Sequence, residues 1–268
     1  TSAHGKVDER VIDVIARVQF TPCGEWESLS TLFPYFAAVP GSSIFTGDTD
    51  RPLVIESLTA DKDKVTIKSA AVMRSPDIIL SAKETLFGQC EFIGVPASDS
   101  EWDDADRLVK VETNIAIPSA SGFATSSVIT QGYTAAWGAS PWDAFSTYEG
   151  FRCTFNNTIE PQETDRLGIL DYTFQQLDVE ARCRPIVTTA ELIAALSLDG
   201  VGARRGRSAN AFGTDLVITG DTGAVVVTLT KAAMKSATAN FDRQTARSGE
   251  VVFIATRTDV SSVLASLA

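Results

Sequence analysis

The 268-residue sequence has one histidine, four cysteines and two methionines, and no apolar run near the roughly 20 residues that cross a bilayer as a helix. Each scarcity excludes something. His4 stands in a polar leading segment, so the commonest catalytic base and metal ligand is missing from the body of the chain. Cys23, Cys90, Cys153 and Cys183 lie 67, 63 and 30 residues apart, which fits no compact metal-ligand spacing. Three of them fall in alternating apolar segments, the setting of buried free thiols. The polar start, residues 1–10, lacks the basic-then-apolar order of a secretory signal, so the expectation is a soluble protein made in the cytoplasm, without a membrane partner. Basic residues are also short: 23 against 34 acidic ones leave a net charge of −11, which argues against gripping nucleic acid or an anionic membrane.

What is present is ordinary globular material, 44% hydrophobic and 21% charged, in a length that suits one large or two modest domains. Short β-branched and aromatic runs bounded by Gly, Pro, Asp or Asn predict strands over 11–20, 53–57, 65–73, 89–95, 133–137, 151–155, 169–184, 215–219, 224–230 and 250–256. Two stretches carry helical spacing. In 189–198, Thr188 and Glu191 form a capping box ahead of Leu192, Ile193, Ala195 and Leu196, with Gly200 as the stop. In 25–38, Leu29, Leu32, Phe33 and Phe36 share one face, but Pro34 must break or kink the helix.

The two halves repeat. Ala16-Arg17-Val18 matches Ala181-Arg182-Cys183, Leu53-Val54-Ile55 matches Leu216-Val217-Ile218, and Val65-Thr66-Ile67 matches Val227-Thr228-Leu229. Ala70-Ala71-Val72 then matches Ala232-Ala233-Met234, and Gly88 with Phe92-Ile93 matches Gly249 with Phe253-Ile254. Offsets of 165, 163, 162, 162 and 161 keep the matches collinear. Between the copies lie an acidic stretch, 96–106, and a Ser/Ala/Thr-rich one, 118–131, so a boundary near residue 128 gives domains 1–128 and 129–268, with a loosely held tail over 258–268.

Catalytic patterns fail one by one. Asp99, Glu101, Asp103, Asp104 and Asp106 offer oxygen ligands but lack the sixth-position Gly and twelfth-position Glu of the common calcium loop. Gly200, Gly202 and Gly206 are one residue off the dinucleotide fingerprint and follow a helix instead of a strand. No Gly-x-Ser-x-Gly elbow occurs, and the Asn156-Asn157-Thr158 sequon carries no weight without a secretory signal. No enzyme activity, cofactor or metal is expected. The concentrated basic run Arg204-Arg205-Gly206-Arg207 reads either as a solvated loop or as a loop docking on an acidic surface of another copy, with Asp99, Glu101, Asp103 and Asp104 as the candidate partner.

The stretch 133–257 resembles the tail tube (major tail) proteins of long-tailed bacteriophages. The resemblance rests on the Gly-Tyr-Thr-Ala-Ala-Trp-Gly strand at 132–138, the strand opening at Gly150-Phe151, and the Asp165-Arg166-Leu167-Gly168 turn. A long strand to Arg184-Pro185, the single helix at 189–198, and the Val-Thr-Leu, Phe-Asp-Arg-Gln and Gly-Glu-Val-Val-Phe segments complete it. Residues 11–95 resemble the same unit more weakly and lack the upstream strand pair. The resemblance implies a mainly β chain of two tandem β-sandwich or barrel-like domains, each with one flanking helix, whose strands join those of other copies in a closed ring. Rings would stack into the tube of a virion tail, assembled in the host cytoplasm, capped by other tail proteins and traversed by DNA without specific binding. Family rings look sixfold, so a chain with two domains would close a trimer of pseudo-sixfold appearance; six chains are the alternative. Other virion components, such as a tail terminator, decoration or receptor-binding protein, fit the same composition. So does a carbohydrate-binding module with Trp102, Trp137 and Trp142 as its platform.

Overall fold

The structure is a computed structural model that describes residues 15–22, 30–36, 38–45, 52–56, 63–81, 87–95, 108–113, 132–138, 142–164, 168–187, 192, 213–220, 225–241, 246–256 and 264–267. It is mainly β. The first half supplies β1 (Ala16–Phe20), β2 (Leu53–Glu56), β3 (Lys64–Ile67), β4 (Ala70–Arg74), β5 (Ile78–Leu80), β6 (Cys90–Gly94) and β7 (Val109–Glu112). The second supplies β8 (Tyr133–Trp137), β9 (Phe145–Thr164), β10 (Gly168–Pro185), β11 (Thr214–Gly220), β12 (Val225–Phe241), β13 (Ala246–Thr256) and β14 (Leu264–Leu267). The described pairings between these strands are antiparallel.

Strands β9, β10, β13, β12, β11 and β8 pair in that order, and β8 returns to β9, so six strands close a barrel. Closure removes sheet edges from this part of the molecule. It also requires long strands to bend, and bulges do so in β10, β11 and β12. In β12 the bend is at Lys231, whose φ of 49° lies in the left-handed region. Up to Ala232 the strand pairs with β11, and from Ala233 onward with β13. The Lys231 amide donates to Asp215 Oδ1 at 2.9 Å, fixing the corner. In β9 the corner is Gly150, with φ of 86°, between the part paired with β8 and the part paired with β5.

Apolar side chains at alternate positions fill the interior: Phe151, Cys153 and Phe155 from β9, Val179, Ala181 and Cys183 from β10, Leu216 and Ile218 from β11, and Val251 and Phe253 from β13. The same core takes in Leu32, Phe33, Tyr35, Val72, Ile78, Leu80 and Phe87 from the first half. Tyr35 stacks on Phe174 with ring centroids 5.0 Å apart and donates its hydroxyl to the Val72 carbonyl. Gly41 and Ile44 donate to the carbonyls of Phe174 and Tyr172, so the segment 41–44 lies along β10.

The first half forms two three-stranded sheets, β1-β6-β4 and β2-β3-β7, while β5 joins the outer side of β9. The β2–β3 and β4–β6 pairings repeat those of the second half. Leu53, Val54 and Ile55 face Ile67, Thr66 and Val65 as Leu216, Val217 and Ile218 face Leu229, Thr228 and Val227. Ala71 and Val72 face Ile93 and Phe92, then a bulge brings Arg74 to Glu91. Ala233 and Met234 face Ile254 and Phe253, then the equivalent bulge brings Ser236 to Val252. Strand β7 lies on β3 as β14 lies on β12. The barrel itself does not recur: among the described residues no second copy of the β8–β9 pair closes the first half.

Three expectations are corrected. Residues 25–38 do not hold one helix; 3-10 turns form at Ser30–Leu32 and Pro34–Phe36, because Pro34 has no amide hydrogen and its ring blocks the preceding turn. The segment 258–268 is not simply a loose tail, since Leu264–Leu267 is a strand on β12. The strand expected over 224–230 runs on to Phe241, because the corner at Lys231 bends the ladder without ending it. Of the helix expected over 189–198 only Leu192 is described; it is helical and fully buried, and the rest lies outside the described residues.

Gly150→Ala tests the corner. A Cβ there would stand 2.0 Å from the Leu80 carbonyl oxygen on an already left-handed backbone. We expect a loss of about 2–4 kcal/mol, read as a lowered denaturant midpoint.

Candidate interaction surface

The alternation that fills the barrel puts the intervening residues on its outside. On β9 and β10 these are Arg152, Thr154, Glu180, Arg182 and Arg184. Register sets Arg152 directly opposite Arg182, and Thr154 opposite Glu180. Like charges facing each other across a ladder repel, so each guanidinium needs a carboxylate. Asp77, just before β5, takes Arg152 Nε and Nη2 on its Oδ2 at 3.1 and 2.8 Å. Arg182 Nη2 donates to Glu180 Oε2 at 2.8 Å, and its Nη1 lies 3.9 Å from Glu250 Oε1. Arg184 lies 3.7 Å from Glu149, and Lys235 of β12 donates to the other Glu180 oxygen.

Beside the Glu180–Lys235 pair is an open groove of about 560 Å³ lined by Asp77, Ile79, Ser81, Arg152, Arg182, Arg184, Glu149 and Glu250, among others. Hydrogen bonds from Lys235 and then Arg182 hold the Glu180 carboxyl below its ordinary pKa, and Glu180 in turn raises Arg182. Behind the groove the thiols are buried. Burial pushes Cys153 up to about 12, with the Asp77 charge adding to it, and Cys183 rises for the same first reason. What the surface offers is guanidinium and carboxylate groups on rigid strands, the chemistry of charge-paired contact.

Arg204, Arg205, Arg207, Asp99, Glu101, Asp103 and Asp104 lie outside the described residues. The groove instead joins charges that sequence reasoning passed over. Its one local signal is the alternation Glu180-x-Arg182-x-Arg184; the facing Arg152 and Asp77 come from strands whose register no local pattern announces. The tryptophan platform is corrected. Trp142 is 4% exposed, and Trp137 packs edge-on against it and against Phe253, at 6.0 and 5.1 Å. Both rings serve the core; Trp102 lies outside the described residues.

Two outcomes are expected. Glu180→Gln should cost about 1–3 kcal/mol at neutral pH through loss of two charge-assisted hydrogen bonds. A carboxyl with a depressed folded pKa stabilises above its unfolded pKa and loses that contribution as pH falls through the folded value, so the gap between parent and variant closes on acidification below about pH 4. Urea melts at several pH values measure it; a gap constant to pH 2 contradicts the assignment. Separately, Cys90, Cys153 and Cys183 should resist alkylation at pH 8 in the native protein and label fully after unfolding, as peptide mass spectrometry resolves.

No protein-family model matches the chain, and no curated protein matches it.

Proposed function

We propose that the protein is a structural subunit of a phage-type tail tube, assembling into stacked rings around a channel for genome delivery. The observation that carries this reading is the six-stranded closed barrel built from the stretch 133–256, the segment whose order of elements resembles tail tube proteins. Supporting it are the recurrence of the same strand pairings in the first half and the rigid charged face on β9 and β10. The role is geometrical and non-catalytic. Two tandem units per chain, divided near residue 128, would close a trimeric ring of pseudo-sixfold appearance, with a hexamer of whole chains as the alternative. The loop Arg204-Arg205-Gly206-Arg207 and the acidic residues Asp99, Glu101, Asp103 and Asp104 belong to the contacts between copies. A net charge of −11 lets DNA pass without sticking where carboxylates line the channel. The tube ends meet other tail proteins, and the protein's place is the virion tail.

Electron microscopy of the purified protein tests the proposal. Hollow rings or tubes are expected at high protein concentration, with threefold symmetry on averaging. Persistent monomers would overturn the tube, and true sixfold equivalence of chains would replace the trimer with the hexamer.

A further inference from the structure

The groove on the outer face of β9 and β10 holds more hydrogen-bond donors than its own acceptors use. Arg152 on β9 faces Arg182 on β10 directly in the ladder, and Arg184 follows two residues along the same face of β10. Each guanidinium carries five N–H donors. Arg152 uses Nε and Nη2 on Asp77, Arg182 uses Nη2 on Glu180, and Arg184 makes no hydrogen bond among the described residues. Glu250 and Glu149 stand beside Arg182 and Arg184, but at 3.9 and 3.7 Å, outside hydrogen-bond distance, and their side chains are 61% and 77% exposed. Ion pairs as open as these contribute little and give way to a better-fitting anion.

Two of the three cations are fixed from behind. Asp77 is 6% exposed and its Oδ1 has no hydrogen-bond partner, so the buried carboxylate relies on Arg152 for its side-chain hydrogen bonds. Moving Arg152 away would leave that charge buried and unpaired, which is costly. Arg182 is tied to Glu180, itself buried and held by Lys235. The strands that carry them are paired on both edges, β9 between β5 and β10, and β10 between β9 and β13. Two like charges held opposite each other repel, and an anion between them removes that repulsion.

We propose that the groove binds a small phosphate-type oxyanion, seated between Arg152 and Arg182 with Arg184 as the third donor. Shape decides the class of ligand. The two oxygens of a carboxylate lie in one plane and are matched by a single guanidinium fork, whereas the oxygens of a tetrahedral phosphate take donors from guanidinium groups on separate strands. Size and charge decide against a long polyanion: a groove of about 560 Å³ suits a small ligand, and the exposed Glu149 and Glu250 that line it repel a DNA backbone. On binding, phosphate takes the place of those two carboxylates beside Arg184 and Arg182. The site is independent of the tube assembly proposed above.

Calorimetric titration of the full chain at low ionic strength tests the site, with inorganic phosphate, acetate and a short DNA duplex as probes. Phosphate should saturate a single site per chain with a Kd of about 1 mM or below, and acetate should bind roughly 10-fold more weakly or not at all. Arg184→Gln should weaken phosphate by about 5-fold, while Glu149→Gln combined with Glu250→Gln should tighten it by about 3-fold. Glu160→Gln, exposed on the far part of β9, should leave the affinity unchanged, which separates a local effect from one of net charge. These positions are exposed or weakly paired, so melting temperatures should match the parent. Absence of saturable phosphate binding up to about 10 mM, equal binding of acetate, or an unmoved affinity in the Arg184 and Glu149/Glu250 variants overturns the site. Displacement of bound phosphate by the DNA duplex overturns its assignment to a small anion.

Discussion

Strand β10 between residues 178 and 183 is hydrogen-bonded along both edges, to β13 on one side and β9 on the other, and the closed form of the barrel hangs on that double pairing. Without it the six strands would be an open sheet with two long edges. With it, Val179, Ala181 and Cys183 are committed to the interior and Glu180, Arg182 and Arg184 to the outside, because a strand has only two faces. The core, the groove and the burial of Cys153 and Cys183 follow from one register. A slip of one residue in β10 would bury three charges and expose three core side chains.

Closure also explains where irregularity is tolerated. Two left-handed residues sit where a strand changes partners: Lys231 where β12 passes from β11 to β13, and Gly150 where β9 passes from β8 to β5. The first half holds the same pairings, and even the equivalent bulge after Val72, but β3 and β4 are separate short strands where β12 is continuous. The β8–β9 pair is what gives one half a sealed interior, and its aromatic residues Trp137, Trp142 and Phe145 surround Phe253.

Much of this was legible in the sequence. Alternation located most of the strands, Pro34 announced the broken helix, and the collinear matches anticipated pairings that recur residue for residue, as in Leu53–Ile67 and Leu216–Leu229. Short edge strands were harder: Ile78–Leu80, Val109–Glu112 and Leu264–Leu267 are three or four residues long, too brief for a period to declare itself. The charged groove was invisible because its members come from β5, β9, β10 and β13 or the segments beside them, and only cross-strand register makes Arg152, Asp77, Arg182 and Glu250 neighbours.

The scarcities with which the sequence begins keep their meaning. A single histidine, four scattered cysteines and a shortage of basic residues are properties of composition, and side-chain periodicity follows from backbone geometry, so the chain by itself determined a β-rich protein in which Cys90, Cys153 and Cys183 turn inward. Tertiary structure alone decided which strands close upon one another. Closure depends on hydrogen bonds between segments far apart in the chain, such as β8 with β11 and β10 with β13, and such pairings are selected by the packing of the whole core and not by any local run of residues.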